Sequence, residues 1–144
     1  LDPLQAVILS YHLTRLEEFT ETRRGIARTY KEAINSSGVL NVGPLDISES
    51  VWHHFVIRVN KRAEAQNWFT TMGVSTDIHY PYSAYKLLPV RDFLPSAYLE
   101  STFDNSGVLS DTVLSLPIGP WMDSSQISHV ADVLSKIPET YIAI

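Results

Sequence analysis

The sequence predicts an α+β domain in which a small, mostly antiparallel sheet of about three strands is covered by helices. Three observations lead to this fold class. A helical spacing of apolar residues opens the chain, the segment 51–59 (VWHHFVIRV) is rich in aromatic and β-branched residues, and helical and strand patterns then alternate.

The segment 2–35 has the pattern of one long N-terminal helix. Asp2 is a suitable N-cap, Pro3 occupies the first helical position, and Gly38 ends the helix after Asn35. At about 1.5 Å per residue such a helix spans on the order of 50 Å, which is long for a domain of this size. We therefore expect part of it to pack on something else. Its predicted buried face consists of Leu9, Leu13, Leu16, Ile26, Ala27, Tyr30 and Ile34.

The remaining elements follow in order. The segment 51–59 is the strongest strand, the segment 61–72 is a helix ended by Gly73, and the segment 74–80 is a second strand. A loop with three prolines occupies 81–95 and is long enough to be functional. A short helix at 107–111, a third strand at 113–117 and a helix at 123–137 complete the chain. The spacing of Asp123 and Gln126 resembles a capping box for that last helix.

Composition limits the possible functions. With 144 residues, of which 44% are hydrophobic, residues 1–144 fit a single domain. The net charge of −5, with both signs interspersed, argues against nucleic acid or an anionic membrane as a partner. The absence of cysteine excludes disulfides and thiolate metal sites. The chain shows no secretion signal and no apolar run of roughly 18 residues, so we expect a soluble cytoplasmic protein. Because it opens on Leu1 and not on methionine, we also expect a missing upstream part.

Familiar catalytic signatures are absent from the sequence. Its glycines are scattered singly, and it contains no Gly-rich phosphate loop, no GxSxG and no HExxH. His53 and His54 are neighbours on a predicted strand, so their side chains should point to opposite faces and should not share a metal ion. We therefore predict no metal site.

The best candidate for a ligand contact is His79-Tyr80-Pro81, where a predicted strand enters the irregular loop. The imidazole and phenol could donate hydrogen bonds to a sugar or a phosphate. They could equally be two half-buried rings in a turn, and the local sequence alone favours this second interpretation. Trp52 is predicted to anchor the core, and His53 or His54 to be a solvated strand residue.

Two other features allow alternative interpretations. Tyr80, Tyr82 and Tyr85 could form a sugar-stacking surface, or an apolar patch that a partner covers. Arg23-Arg24 is most simply a solvated helix face, although such a pair could also hold a phosphate.

Taken in order, several segments resemble the DegT/DnrJ/EryC1/StrS aminotransferases. They are LDPLQA at the start, Leu13-x-x-Leu16, Arg23-Arg24-x-Ile26-Ala27, VWHxFVIR at 51–58, GVxTxIHYP at 73–81 and LSLPIxPxM at 114–122. The resemblance implies the C-terminal small domain of a fold type I enzyme. Such enzymes are dimers whose large domain carries a lysine that binds pyridoxal 5'-phosphate, and they transfer an amino group to a nucleotide-linked keto sugar.

The chain also departs from that family. None of its lysines (Lys31, Lys61, Lys86 and Lys136) lies in the Ser-x-x-x-Lys context of the large domain. We therefore expect no catalytic residue, no cofactor-binding residue and no cofactor in this chain. After His79-Tyr80-Pro81 the family continues with Pro, His and Gln, where this chain has Ser83, Tyr85 and Leu87. The substrate-binding residues implied by the resemblance are His79 and Tyr80, to which we add His53 and Tyr85.

These observations lead to two expectations. The chain should be inactive without the large domain, although the complete protein would bind a nucleotide sugar and pyridoxal phosphate. Alternatively, it is a free-standing remnant that acts as a dimerisation module or as a sugar-phosphate binding domain. In either case we expect a homo-oligomer that associates through the first helix or through the loop from Tyr80 to Tyr85.

Overall fold

A computed structural model describes residues 2–93 and 104–143. The helices are α1 (Pro3–Leu13), α2 (Leu16–Ser37), α3 (Arg62–Thr71), α4 (Leu88–Arg91), α5 (Asp104–Thr112) and α6 (Ser124–Ser135). The strands are β1 (Leu40–Asn41), β2 (Phe55–Arg58) and β3 (Val113–Leu116), and short 3-10 turns lie at Ile47–Glu49, Ala84–Lys86 and Glu139–Tyr141. The predicted α+β class is confirmed.

The sheet has the order β1-β2-β3 and is antiparallel throughout. In the central strand Phe55 pairs with Leu116 and Ile57 with Leu114. Both Phe55 and Ile57 are fully buried, whereas Val56 and Arg58 on the other face are only partly so. This alternation follows from the two-residue period of a strand, and it directs one face of the sheet into the core.

The core lies between this sheet and the packed helices α2 and α6. The ring of Tyr30 meets that of Phe55 edge to face at 5.2 Å. The Tyr30 hydroxyl donates a 2.8 Å hydrogen bond to the Pro117 carbonyl, so this large polar residue is buried with its polar end paired.

The single long helix predicted from the sequence is wrong, because the helix breaks between Leu13 and Leu16. Arg15 has φ −111° and ψ 10°, and its amide donates to the His12 carbonyl in a tighter turn. The Thr14 hydroxyl donates a hydrogen bond to the Tyr11 carbonyl. Local side-chain bonds of this kind compete with the backbone hydrogen bonds of a helix.

The second half of the predicted buried face is confirmed, and the first half is wrong for this chain. Ile26, Ala27, Tyr30 and Ile34 of α2 are buried. By contrast, α1 contains no buried residue. The large aliphatic residues in the first half of the predicted face are at least half exposed. They are Leu9 and Leu13 of α1, and Leu16 at the start of α2.

Two strand predictions also need correction. The segment 74–80 forms only an isolated bridge between Asp77 and Ser115, and β1 was not predicted from the sequence. Residues 51–54 lie outside β2, because Trp52 adopts a left-handed φ of 49° that interrupts the extended backbone. The helix predicted at 107–111 lies within α5, and Pro95 of the predicted loop lies outside the described residues.

The predictions for α3, β3 and α6 are confirmed. Gly73 follows α3 with φ 77°, a conformation that glycine adopts without steric cost. Asp123 caps α6 through a capping box with Gln126, in which each side chain binds the other residue's amide.

Candidate functional site

A cleft of about 580 Å³ opens beside β3 and the first turns of α6. We call it the histidine cleft, because four histidines line it. The lining residues are His53, His54, Gly73, Val74, Ser75, Thr76, Asp77, His79, Ser115, Leu116, Pro117, Ile118, Trp121, Met122, Gln126, His129 and Val130.

Three of these histidines form a column. The ring centroids of His53 and His54 are 4.2 Å apart, and those of His54 and His79 are 3.8 Å apart. The prediction that His53 and His54 point to opposite faces of a strand is therefore wrong. Both residues lie in irregular backbone before β2, where the alternation of side chains along a strand does not hold.

His79 is anchored on β3 by its own segment of chain. The amide of Asp77 donates to the Ser115 carbonyl at 3.0 Å, and the amide of Ser115 donates to the Asp77 carbonyl at 2.8 Å. The His79 Nδ1 atom lies 2.9 Å from the Ser115 hydroxyl oxygen, and Nε2 lies 3.8 Å from the Asp77 carboxylate. The ring is thus held between a buried hydroxyl and an exposed carboxylate.

The environment of His54 at the centre of the column favours its neutral form. Partial burial is the main reason why the pKa of His54 is lowered, and nearby His79 and His53 lower it further. Asp77 acts in the opposite direction. A neutral imidazole offers one donor and one acceptor nitrogen, which matches the two roles of a ligand hydroxyl.

The other polar groups of the cleft are uncharged, with one exception. Among the described residues that line it, only Asp77 carries a permanent charge. His129 on α6 is 2.9 Å from the Met72 carbonyl through Nε2. The Thr76 hydroxyl oxygen is buried and has no hydrogen-bond partner among the described residues.

Asp77, His79 and Ser115 have the outline of a nucleophilic triad, but the geometry argues against that role. Ser115 is only 5% exposed, and the 3.8 Å separation of Asp77 and His79 exceeds hydrogen-bond distance. The described residues also contain no group of three or more His, Asp or Glu side chains able to hold a metal ion.

Trp121 forms the outer wall of the cleft and is 78% exposed. Its ring packs over Gly119, where a Cβ atom would come within 2.5 Å of the indole. The absence of a side chain at Gly119 thus permits this position of the ring. Trp121 offers a flat apolar surface beside hydrogen-bonding imidazoles.

The same indole also borders an apolar groove along α1 and the start of α2, lined by Leu9, Leu13, Leu16 and Phe19. Arg23 also lines this groove, and its Nε atom is buried and has no hydrogen-bond partner in the described ranges 2–93 and 104–143. Within the described part of the chain, no helix is long and apolar enough to cross a membrane.

The structure separates the four substrate-binding candidates. His53 and His79 line the histidine cleft, whereas Tyr80, which is 84% exposed, and Tyr85 do not. A ligand role for the two tyrosines stays a prediction. Sequence reasoning missed the contribution of His54, Thr76, Trp121 and His129, since residues from four separate segments meet only in the fold.

Arg24 has a structural role. Its guanidinium donates to the Ser48 and Ser50 carbonyls at 3.0 and 3.2 Å, and to the Glu21 carboxylate at 2.6 Å. It therefore ties the loop after β1 to α2, and it is not free to bind a phosphate.

Comparisons with known proteins agree on one family. The family model of the DegT/DnrJ/EryC1/StrS aminotransferases matches residues 1–135. The dTDP-3-amino-3,6-dideoxy-alpha-D-galactopyranose transaminase of Aneurinibacillus thermoaerophilus is 32% identical over 94% of this chain and 36% of its own length. The pleiotropic regulatory protein of Geobacillus stearothermophilus is 33% identical over 98% of this chain and 37% of its own length.

Solved structures agree with this result. The crystal structure of S. venezuelae DesV in complex with a ketimine intermediate superposes with a TM-score of 0.78 at 27% identity, over 94% of this chain and 36% of that one. A Brucella abortus aminotransferase superposes with a TM-score of 0.75 at 25% identity, over 93% of this chain and 35% of that one. This chain spans about a third of the length of such relatives. Because the family model covers nearly all of it and the fold agrees, the chain belongs to the DegT/DnrJ/EryC1/StrS aminotransferase family.

Proposed function

We propose that this chain is the C-terminal small domain of a pyridoxal-phosphate aminotransferase that acts on nucleotide-linked keto sugars. The observation that carries the proposal is the family match over residues 1–135, combined with coverage of only 36% of a relative's length. Relatives whose names state a substrate are transaminases of dTDP-linked or UDP-linked sugars. We further propose that the complete protein is a cytoplasmic homo-oligomer.

The residues of this chain do not fit the cofactor itself. Pyridoxal phosphate needs a lysine for its aldehyde and usually cationic or backbone donors for its phosphate. None of the four lysines lines the histidine cleft, and their ammonium groups are engaged elsewhere. Their partners are the Pro44 and Leu45 carbonyls for Lys31, and Glu64, Asp111 and Asp132 for Lys61, Lys86 and Lys136.

In this proposal the histidine cleft contributes to the binding of the sugar. His79 and His53 line the cleft and offer imidazole nitrogens to the hydroxyl groups of a sugar. Trp121 supplies an apolar surface for the face of a sugar ring. The scarcity of charge in the cleft suits a neutral ring better than a diphosphate, which would meet Asp77 and no lining lysine or arginine.

The first experiment tests the inactivity of the chain alone. Pyridoxal phosphate is added to the 144-residue chain, and the visible spectrum is recorded before and after borohydride treatment. We expect no stable protein-bound band and no amino transfer from glutamate. A band that borohydride fixes onto a lysine would contradict the proposal.

The second experiment tests the sugar site by titrating the chain with dTDP-glucose and with dTDP lacking the sugar. We expect dTDP-glucose to shift the signals of cleft residues more strongly, and His79→Ala to weaken its binding about threefold to tenfold, which corresponds to one lost hydrogen bond. Equal effects of the two ligands would show that the cleft does not bind the sugar ring.

A second candidate function is a free-standing interaction module. The specific observation in its favour is α1, whose large apolar residues are exposed and none of which is buried. Sequencing the gene upstream of Leu1 separates the two candidates. A reading frame for a large domain with its lysine supports the aminotransferase, and a start codon next to Leu1 supports the module.

A further inference from the structure

The histidine column is flanked by two residues with unusual backbone geometry. Trp52 has φ 49° and directly precedes His53, and Tyr80 has φ 59° and directly follows His79. Residues other than glycine cost free energy in this left-handed region, so they persist only where the surrounding structure holds them. Strain of this kind often occurs at sites that need a preformed geometry.

Contacts outside the cleft hold Trp52 in place. Its side chain is 2% exposed, and its indole Nε1 donates to the Ile47 carbonyl at 2.9 Å. The ring stacks on Phe55 with a centroid separation of 5.4 Å. The backbone that leads into His53 is therefore held from the core side by Trp52.

Ser115 holds the other end of the column. It lies on β3, it is 5% exposed, and in the described part of the chain its hydroxyl has His79 Nδ1 as its hydrogen-bond partner, at 2.9 Å. The Asp77 carboxylate lies 3.8 Å from His79 Nε2. A negative charge at that distance favours a proton on Nε2, which leaves Nδ1 as the acceptor of the Ser115 hydroxyl proton.

We propose that Ser115 is a positioning residue that makes His79 a hydrogen-bond donor to the ligand. By donating to Nδ1, Ser115 fixes both the plane of the imidazole and the proton on Nε2. His79 then presents Nε2–H to an acceptor oxygen of the ligand, such as a carbonyl or hydroxyl oxygen. The identification of that ligand as a sugar rests on the proposed function, whereas the state of the His79 ring does not.

The positioning of His79 by Ser115 can be tested on the 15N-labelled chain by nuclear magnetic resonance of the imidazole nitrogens. The variants are Ser115→Ala, which removes the hydroxyl, and Ser115→Thr, which keeps one. The matched control is Ser110→Ala, because Ser110 is a buried serine whose hydroxyl is also bonded but lies outside the cleft. Spectra are recorded at pH 8 so that the neutral rings are compared.

In the unaltered chain we expect a single His79 tautomer with the proton on Nε2 and a hydrogen-bonded Nδ1. Ser115→Ala should shift Nδ1 towards the frequency of a free imidazole nitrogen and broaden the Nε2–H signal. Ser115→Thr should restore both signals, and Ser110→Ala should leave them unchanged even if it lowers the melting temperature. Unchanged His79 nitrogens in folded Ser115→Ala, or a proton on Nδ1 in the unaltered chain, would overturn the proposal.

Titration with dTDP-glucose separates this inference from the proposed function. If both hold, Ser115→Ala weakens binding about threefold to tenfold, and Ser115→Thr stays within about twofold of the unaltered chain. If the nitrogens respond as expected but no variant binds the sugar nucleotide, the positioning role stands and the sugar site fails. If the chain binds the ligand but Ser115→Ala changes neither the nitrogens nor the affinity, the positioning role fails alone.

Discussion

His54 and His79 stack with their ring centroids 3.8 Å apart, and the two residues come from opposite sides of α3 in the sequence. Two protonated rings at this distance would repel each other, and His53 adds a third ring next to His54. The column is therefore most stable when its central ring is neutral.

This geometry predicts a loss of stability in mild acid. The pKa of His54 is lowered in the folded chain, first by burial and then by His79 and His53. Below the ordinary value of about 6.5, the unfolded chain takes up a proton that the folded chain resists. The free energy of unfolding should therefore fall as the pH drops below about 6.5 and should not change through this group at higher pH. Urea unfolding between pH 8 and pH 5 measures this change in the free energy of unfolding.

The matching variant is His54→Gln, which keeps hydrogen-bonding groups but cannot be protonated. It should show a smaller fall in stability across this range, while His12→Gln on exposed α1 should behave as the unaltered chain. An identical pH dependence in His54→Gln and the unaltered chain would show that His54 is not responsible.

Tyr30→Phe should destabilise the fold by about 1–3 kcal/mol, because it removes the 2.8 Å hydrogen bond to Pro117 and leaves that carbonyl without this donor. Burial also holds the pKa of Tyr30 well above its usual range. Stability should therefore fall as the pH rises above about 10, where the unfolded chain loses the phenol proton and the folded chain keeps it.

Chemical denaturation at pH 7 and at pH 10.5 measures both effects of Tyr30. Tyr82→Phe is the control, since Tyr82 is 65% exposed. If Tyr30→Phe were as stable as the control, the buried hydrogen bond would contribute nothing to stability.

The exposed apolar face of α1 predicts self-association of the isolated chain. Leu9→Gln combined with Leu13→Gln should lower the average mass in sedimentation at high concentration, because both side chains line the apolar groove. Leu45→Gln removes an equally apolar side chain that is 97% exposed outside the groove, and it should have little effect. A strictly monomeric unaltered chain would refute this prediction.

Gly43→Ala should disturb the support of the histidine column. A Cβ atom there would lie 3.1 Å from the Trp52 ring and 3.0 Å from the Asn41 amide oxygen. Overpacking of this kind costs about 1–3 kcal/mol, and it should also shift the imidazole signals of His53.

Gly25→Ala on α2 is the matched control for Gly43→Ala. A Cβ atom at Gly25 meets nothing within 4 Å, so alanine should stabilise the helix by about 0.5–1 kcal/mol. Unaltered His53 signals in Gly43→Ala would show that the ring of Trp52 does not transmit the change.

Elements set by local chemistry could be predicted from the sequence. The caps of α1 and α6 join residues two or three positions apart, and Gly38 ends α2 through its own left-handed conformation, with φ 76°. The break before Leu16 was missed because apolar spacing continues across it. The strand β1 was missed because its two residues leave no periodicity to detect.

The candidate site was harder to predict for a physical reason. His53 and His79 could be selected from their positions, but they are joined through His54, whose ring lies 4.2 Å from that of His53 and 3.8 Å from that of His79. The left-handed residue Trp52, which precedes the column, contacts the Ile47 carbonyl and packs close to Gly43, and neither of these is an immediate neighbour in the sequence. His129 joins the cleft from α6, and Ser115 and Leu116 join it from β3.

Trp121 is a common wall of the histidine cleft and of the apolar groove along α1. A ligand that moves the indole from one side changes the shape of the surface on the other. The two binding free energies are then linked, and by thermodynamic reciprocity each occupant alters the affinity for the other by the same factor. Through this one exposed side chain, a molecule bound along α1 would alter what the cleft accepts.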